Sequence, residues 1–187
     1  MERYTAVETI VRCIGPRDLL LTTTGMITRE VFVADDRPDN FYMIGSMGLL
    51  SSLGLGLALL KKDRNIVVID GDGSALMSLG TIPLIAYESP SNFRYIILDN
   101  NSYESTGAQP CISEKIDLGS IVKASGFRHV ESVEEPGSLE MALKKTFSID
   151  GPSCLHVSVD ISRVDGVPRV SHEPEEIRDR FKQRVMS

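Results

Sequence analysis

The sequence predicts an α/β domain, a doubly wound, mostly parallel sheet with helices on both faces. Three observations carry this. Short continuous runs of apolar residues at 66–69 and 95–98 read as strands buried on both sides, and the alternating run at 155–159 as a further strand. Segments with helical apolar spacing separate them, and such alternation implies a parallel sheet covered on both faces. The 187-residue chain is 42% hydrophobic and 25% charged, an ordinary globular balance, and is long enough for one domain with a real core.

Each element follows in order. Residues 3–14 place Ala6, Val7, Ile10, Val11 and Ile14 on one helical face, and Gly15-Pro16 ends that helix. Residues 19–22 read as the first strand, opening into Thr23-Thr24-Gly25. A helix is predicted from about 28 to 34 and is broken by Asp35-Asp36-Arg37-Pro38. Phe41-Tyr42-Met43-Ile44 leads to Gly45-Ser46-Met47-Gly48, and a long apolar helix then runs to about residue 60. Strand 66–69 ends at Gly71-Asp72-Gly73, and residues 74–79 have helical character. Strand 95–98 delivers Asp99-Asn100-Asn101-Ser102-Tyr103. Further on come a helix near 117–125, a short strand near 128–130, a helix near 137–148, strand 155–159, and a charged helical tail from Glu173.

Composition excludes several function classes. The net charge of −6, with no basic run, argues against electrostatic nucleic-acid binding. No stretch approaches 18 apolar residues, so no membrane span is expected, and the first residues do not open a signal peptide. Cys13, Cys111 and Cys154 are isolated and odd in number, which suggests a reducing, cytoplasmic setting and no Cys-x-x-Cys metal site. In that setting the sequon at Asn100-Asn101-Ser102 is not used.

The chemistry concentrates where two strands end. Consecutive parallel strands joined through a helix place Asp72 and Asn100 side by side at their carboxyl ends, where open α/β sheets hold ligands. A carboxylate, an amide oxygen and nearby backbone carbonyls make an all-oxygen site suited to Mg²⁺. Gly71 and Gly73 let backbone N–H groups close on a phosphate at the start of a helix, beside Ser74. Gly-Asp-Gly alone is more simply a turn, and only the two strands at this spacing favour a site. Gly54-Leu55-Gly56 is rejected as a dinucleotide fingerprint, because no strand directly precedes it and it lies within an apolar helix. Asp70-x-Asp72-x-Ser74 fails as a calcium loop, since its twelfth position is Thr81.

These motifs resemble the diphosphate-binding half of thiamine diphosphate enzymes, whose signature is Gly-Asp-Gly, a gap in the mid-twenties, then Asn-Asn. Here 26 residues, Ser74 to Asp99, separate Gly73 from Asn100. The resemblance implies Asp72, Asn100 and the carbonyl of Ser102 as Mg²⁺ ligands; Asp99 stands where many members have Asn, but that position is not a ligand. Gly45-Ser46-Met47-Gly48 matches the segment beneath the cofactor rings. There Met47 is the prop and Gly45 the carbonyl that accepts from the 4′-amino group; tight packing at a helix start explains Gly45 and Gly48 less well, though it accounts for Gly54 and Gly56. Thr24-Gly25-Met26 matches the loop that lends a hydroxyl and N–H groups to the diphosphate, and a plain strand-to-helix turn accounts for those residues equally well.

The resemblance also says what else is needed. These enzymes use a pyrimidine-binding domain whose Glu activates the cofactor, and only about 44 residues precede Gly45 here. Residues 1–187 are therefore expected to form a single diphosphate-binding domain, with the activating Glu on a partner alpha-type subunit. Thr24-Gly25 through Arg29-Glu30, residues 36–43, and Ser105-Thr106-Gly107-Ala108-Gln109 resemble the sulfopyruvate and phosphonopyruvate decarboxylase group. This implies a cytoplasmic, heteromeric 2-oxo acid decarboxylase making sulfoacetaldehyde and CO₂ from 3-sulfopyruvate, a step toward coenzyme M, or doing the phosphonate equivalent. A beta subunit of a 2-oxoacid:ferredoxin oxidoreductase and a non-catalytic diphosphate-binding module remain as alternatives.

The substrate of that group carries a second anionic head. Ser105, Thr106 and the Gly107 backbone are candidate donors to it, though the loop from Tyr103 to Gln109 serves a structural role as readily. His129, His156 and His172 are unremarkable, with His156 expected in the core or on the sheet surface. Arg94 and Arg128 border strands and are expected to be solvated.

Overall fold

The computed structural model describes residues 1–161 and 166–187. In chain order its elements are α1 (Arg3–Cys13), β1 (Leu19–Thr22), α2 (Met26–Ala34), β2 (Asn40–Tyr42), α3 (Leu50–Leu60), β3 (Ile66–Gly71), α4 (Asp72–Met77), α5 (Thr81–Glu88) and β4 (Phe93–Asp99). A hairpin of β5 (Ser102–Tyr103) and β6 (Gln109–Pro110) follows, then a 3₁₀ turn at Ile112–Lys115. The chain closes with α6 (Leu118–Ala124), β7 (His129–Val133), α7 (Pro136–Ser148), β8 (Ser153–Ser158) and α8 (Pro174–Met186).

Six strands form one sheet in the order β2-β1-β3-β4-β8-β7, with every pairing parallel. Strand alternation divides the apolar residues between two cores. Leu20, Val67, Ile69, Ile96 and Leu155 meet α1, α2 and α7 on one face. Leu19, Leu21, Ile66, Val68, Tyr95 and Ile97 meet α3, α5 and α6 on the other. Near β2, α8 gives Ile177 to the first core and Phe181 to the second. Polar clasps fix it there: Asp36 accepts from Tyr42 Oη (2.8 Å) and Arg180 Nη2 (3.1 Å), and Asp39 pairs with both Arg64 and Arg184.

Several expectations need correction. α5 has no clear mark in the sequence, because Pro83 in its first turn, where a helix tolerates proline, obscures the pattern. The segment from Tyr103 to Gln109, expected as loop, closes the β5–β6 hairpin, whose two-residue strands are too short to show a period. Both α2 and α4 begin two residues early, taking in Met26 and Asp72. A Cβ on Gly54 would lie 2.5 Å from Val68 Cγ2, so close packing accounts for that glycine, whereas one on Gly56 would meet nothing. Close packing therefore does not explain Gly56. Arg94 is buried instead of solvated; Nη1 donates to the carbonyls of Ser91 (2.8 Å) and Phe93 (3.2 Å), at the end of the sheet away from the predicted site. Arg128 is exposed, as expected.

The chain winds outward from β1 to β2, then returns through α3 to lay β3 on the other side of β1. Strand order reverses there, opening a crevice at the carboxyl ends of β1 and β3. Gly71 is level with Leu98 across the β3–β4 pairing, so Asp72 and Asn100 leave adjacent strands at one edge.

Candidate active site

A pocket of about 90 Å³ opens at this reversal point. The turn after β1 contributes Thr23, Thr24, Met26 and Ile27; the β3–α4 junction contributes Gly71, Asp72, Gly73 and Ser74. Leu98, Asn100 and the run from Ser102 to Thr106 come from β4 and the hairpin, Met47 from the loop after β2, and Arg3 from α1. Of the residues singled out in the sequence, Thr24, Met26, Met47, Gly71, Asp72, Gly73, Ser74, Asn100, Ser102, Ser105 and Thr106 thus share one cavity. Gly25, Gly45, Ser46 and Gly107 are not among its lining residues.

The backbone around the pocket is bent into conformations that cost energy elsewhere. Gly25 precedes α2 with φ 91°, and Gly48 follows Met47 with φ 89°; both lie in the region that glycine tolerates. Ser46 (φ 55°) and Asn101 (φ 56°) adopt left-handed geometry without that freedom. A Cβ on Gly73 would fall 2.3 Å from Tyr103 Cε1, so only glycine permits the hairpin to close on α4.

Asp72 is buried, and its Oδ2 accepts from Ser113 Oγ at 2.8 Å. Burial pushes its carboxyl above the ordinary range; Ser113 pulls it down, and the charge of Asp99 pushes it up again. Burial would raise Asp99 as well. There, however, His156 (Nε2 to Oδ2, 2.9 Å) and the Asn101 N–H (3.0 Å) hold the carboxyl below its usual value. His156 lies partly exposed beside β4. Asn100 forms a local turn, its Oδ1 accepting from the Ser102 N–H at 3.1 Å while its Nδ2 donates to Glu104 Oε2 at 3.0 Å.

Behind Gly71 sits the fully buried Asp70. Its Oδ2 accepts from Tyr95 Oη (3.0 Å), its Oδ1 from the Gly71 N–H (3.0 Å), and Thr23 and Ser74 also hydrogen-bond to it. Ser74 Oγ further accepts from the Gly48 N–H at 3.1 Å, which ties the Met47 loop to α4.

A buried ion cluster in the pocket wall carries no mark in the sequence. Arg3 grips Glu30 with two hydrogen bonds (Nε–Oε2 2.9 Å, Nη2–Oε1 2.8 Å) and also pairs with Glu104. All three side chains are nearly inaccessible. Ser113 is likewise unmarked. Only Glu104, two residues past Ser102, offered a local signal; Arg3 and Glu30 lie on helices far away in sequence.

Asp72, Asn100 and Ser102 line the same pocket, and their carboxylate, amide and carbonyl oxygens are the donor type that a hard divalent cation takes. Ser102 Oγ is also buried with no hydrogen-bond partner among the described residues, a polar group left for something in the pocket.

Comparison with known proteins places this fold and pocket among the thiamine-dependent enzymes. Residues 23–157 match the family described as thiamine pyrophosphate enzyme, C-terminal TPP binding domain, and the chain belongs to that family. More particularly, it is 38% identical over 185 residues to sulfopyruvate decarboxylase subunit beta of Methanothermobacter thermautotrophicus, covering 99% of this chain and 96% of that one. It is 36% identical to phosphonopyruvate decarboxylase of Streptomyces hygroscopicus over 97% of this chain, and spans 45% of that protein's length. Among solved structures, benzoylformate decarboxylase from Polynucleobacter necessarius superposes with a TM-score of 0.78 over 88% of this chain and 34% of its own, at 18% identity.

Proposed function

We propose that this chain is the beta-type subunit of a thiamine diphosphate- and Mg²⁺-dependent decarboxylase that converts 3-sulfopyruvate to sulfoacetaldehyde and CO₂. The observation that carries the reading is that Asp72, Asn100 and Ser102 line one pocket beside a glycine-flanked helix start. The substrate follows from relatives named sulfopyruvate decarboxylase subunit beta, which this chain matches almost end to end.

In this reading Asp72, Asn100 Oδ1 and the Ser102 carbonyl hold Mg²⁺. Thr24, Gly25, Met26, Gly71, Gly73 and Ser74 cradle the diphosphate, while Gly45, Ser46 and Met47 underlie the rings. Bound thiamine diphosphate supplies the electron sink for the bond broken as CO₂ leaves. Met47, unbranched and adaptable, holds the ring geometry. Ser105, Thr106 and Gly107 face the sulfonate. An alpha-type partner chain carries the pyrimidine-binding domain and the activating Glu. The open apolar rim of Met47, Leu49 and Met77, continuous with the pocket through Met47, is where it docks.

The test is calorimetric titration of thiamine diphosphate, with and without Mg²⁺, into wild type and Asp72→Ala, each with the partner that copurifies. Asp72→Ala is expected to lose metal-dependent binding; unchanged affinity would remove the site assignment. Phosphonopyruvate is the second substrate to assay, because phosphonopyruvate decarboxylases match nearly as well.

A further inference from the structure

We propose that Glu104 is a positioning residue for the cation site, fixing which end of the Asn100 carboxamide faces the metal, and that Arg3 holds Glu104 for this purpose. The inference rests on Asn100 being a Mg²⁺ ligand, as read above.

An amide must present its oxygen, not its nitrogen, to a cation, and rotation by half a turn about its last side-chain bond exchanges the two. Two neighbours forbid that exchange. Glu104 Oε2 lies 3.0 Å from Asn100 Nδ2, and a carboxylate only accepts, so that end must be the NH₂. The Ser102 N–H only donates, and it lies 3.1 Å from Oδ1, so the other end must be the oxygen. The oxygen has two lone pairs; Ser102 takes one and leaves one for the cation.

Glu104 can act as this anchor only if it is itself held in place. It is buried, and Arg3 from α1 pairs with it while gripping Glu30 of α2. Both helices therefore brace one carboxylate against the metal ligand. Removing Glu104 leaves Arg3 and Glu30 as a balanced pair, so the fold is expected to survive its loss.

The experiment titrates Mg²⁺ at fixed thiamine diphosphate into the full chain with its copurifying partner, following cofactor binding by calorimetry. Glu104→Ala is expected to need at least about tenfold more Mg²⁺ for half-saturation. Its cofactor affinity should return at saturating Mg²⁺, and its ligand-free melting temperature should stay near that of wild type. Asn100→Asp, which sets a carboxylate against Glu104, should bind poorly. The reciprocal swap Asn100→Asp/Glu104→Gln restores a donor–acceptor pair and should recover most of the loss. An unchanged Mg²⁺ requirement in Glu104→Ala overturns the proposal, as does a loss that added Mg²⁺ does not repair or a swap no better than Asn100→Asp. If Glu104→Ala fails to fold, the swap decides alone. Wild-type-like binding by Asp72→Ala instead overturns the metal-site reading itself, which separates the two failures.

Discussion

Arg3 shows how much one side chain can carry when it serves two buried carboxylates. Arg3→Met would leave Glu30 and Glu104 facing each other without a cation, and breaking a buried pair in this way costs about 3–5 kcal/mol. Urea unfolding should show that loss directly. Met47→Ala is expected to behave oppositely. Its side chain is partly exposed, so stability should hardly change, while turnover slows at unaltered Mg²⁺-dependent cofactor affinity. Steady-state kinetics beside calorimetry would separate the two effects. Asp72 and Asn100 were legible in the sequence because strand endings and spacing place them with no tertiary knowledge. Arg3 and Glu30 were not legible, since nothing local marks a charged residue in an early helix turn as buried. The same blindness sent Arg94 to the solvent, because a flanking charge looks exposed until the loop carbonyls that hold it are known.

At the level of elements, α3 carries its own controlled comparison. Gly54→Ala should destabilise by about 1–3 kcal/mol, because the new methyl group meets Val68 and Phe93 from β3 and β4. Gly56→Ala meets nothing and should stabilise by up to about 1 kcal/mol through helix propensity. Paired thermal melts would read both signs. The clasp of α8 is sensitive to acid. Burial alone would raise Asp36, but hydrogen bonds from His172, Tyr42 and Arg180 bring it below its ordinary value. A carboxyl lowered on folding contributes fully above the unfolded value of about 3.9 and loses that contribution as pH falls through the lowered one. Asp36→Asn should therefore flatten the decline of stability below about pH 4, as seen in urea midpoints compared at pH 6 and pH 3. The strands β3 and β4 were read correctly because two-sided burial writes an unbroken apolar run. α5 and the β5–β6 hairpin escaped because a proline and a two-residue length erase the periods on which such reading depends.

For the molecule as a whole, the pocket is a consequence of winding: four successive strand ends and the hairpin face one crevice, so residues 23–106 supply nearly all of it. The apolar rim beside the crevice remains uncovered in the single chain, with Leu49 at 57% and Met77 at 63% exposure. Leu49→Glu/Met77→Glu should abolish copurification of the alpha-type partner while leaving circular dichroism and melting unchanged. Retained association would move the docking face elsewhere. Strand order has a further consequence, in time. β4 is synthesised next to nothing on its outer side, because its neighbour β8 follows about 54 residues later and must slip between β4 and β7. At about 5–20 residues per second on the ribosome, β4 waits several seconds with a bare hydrogen-bonding edge. A nascent chain of this protein thus completes its crevice early but stays adhesive until its last strand arrives.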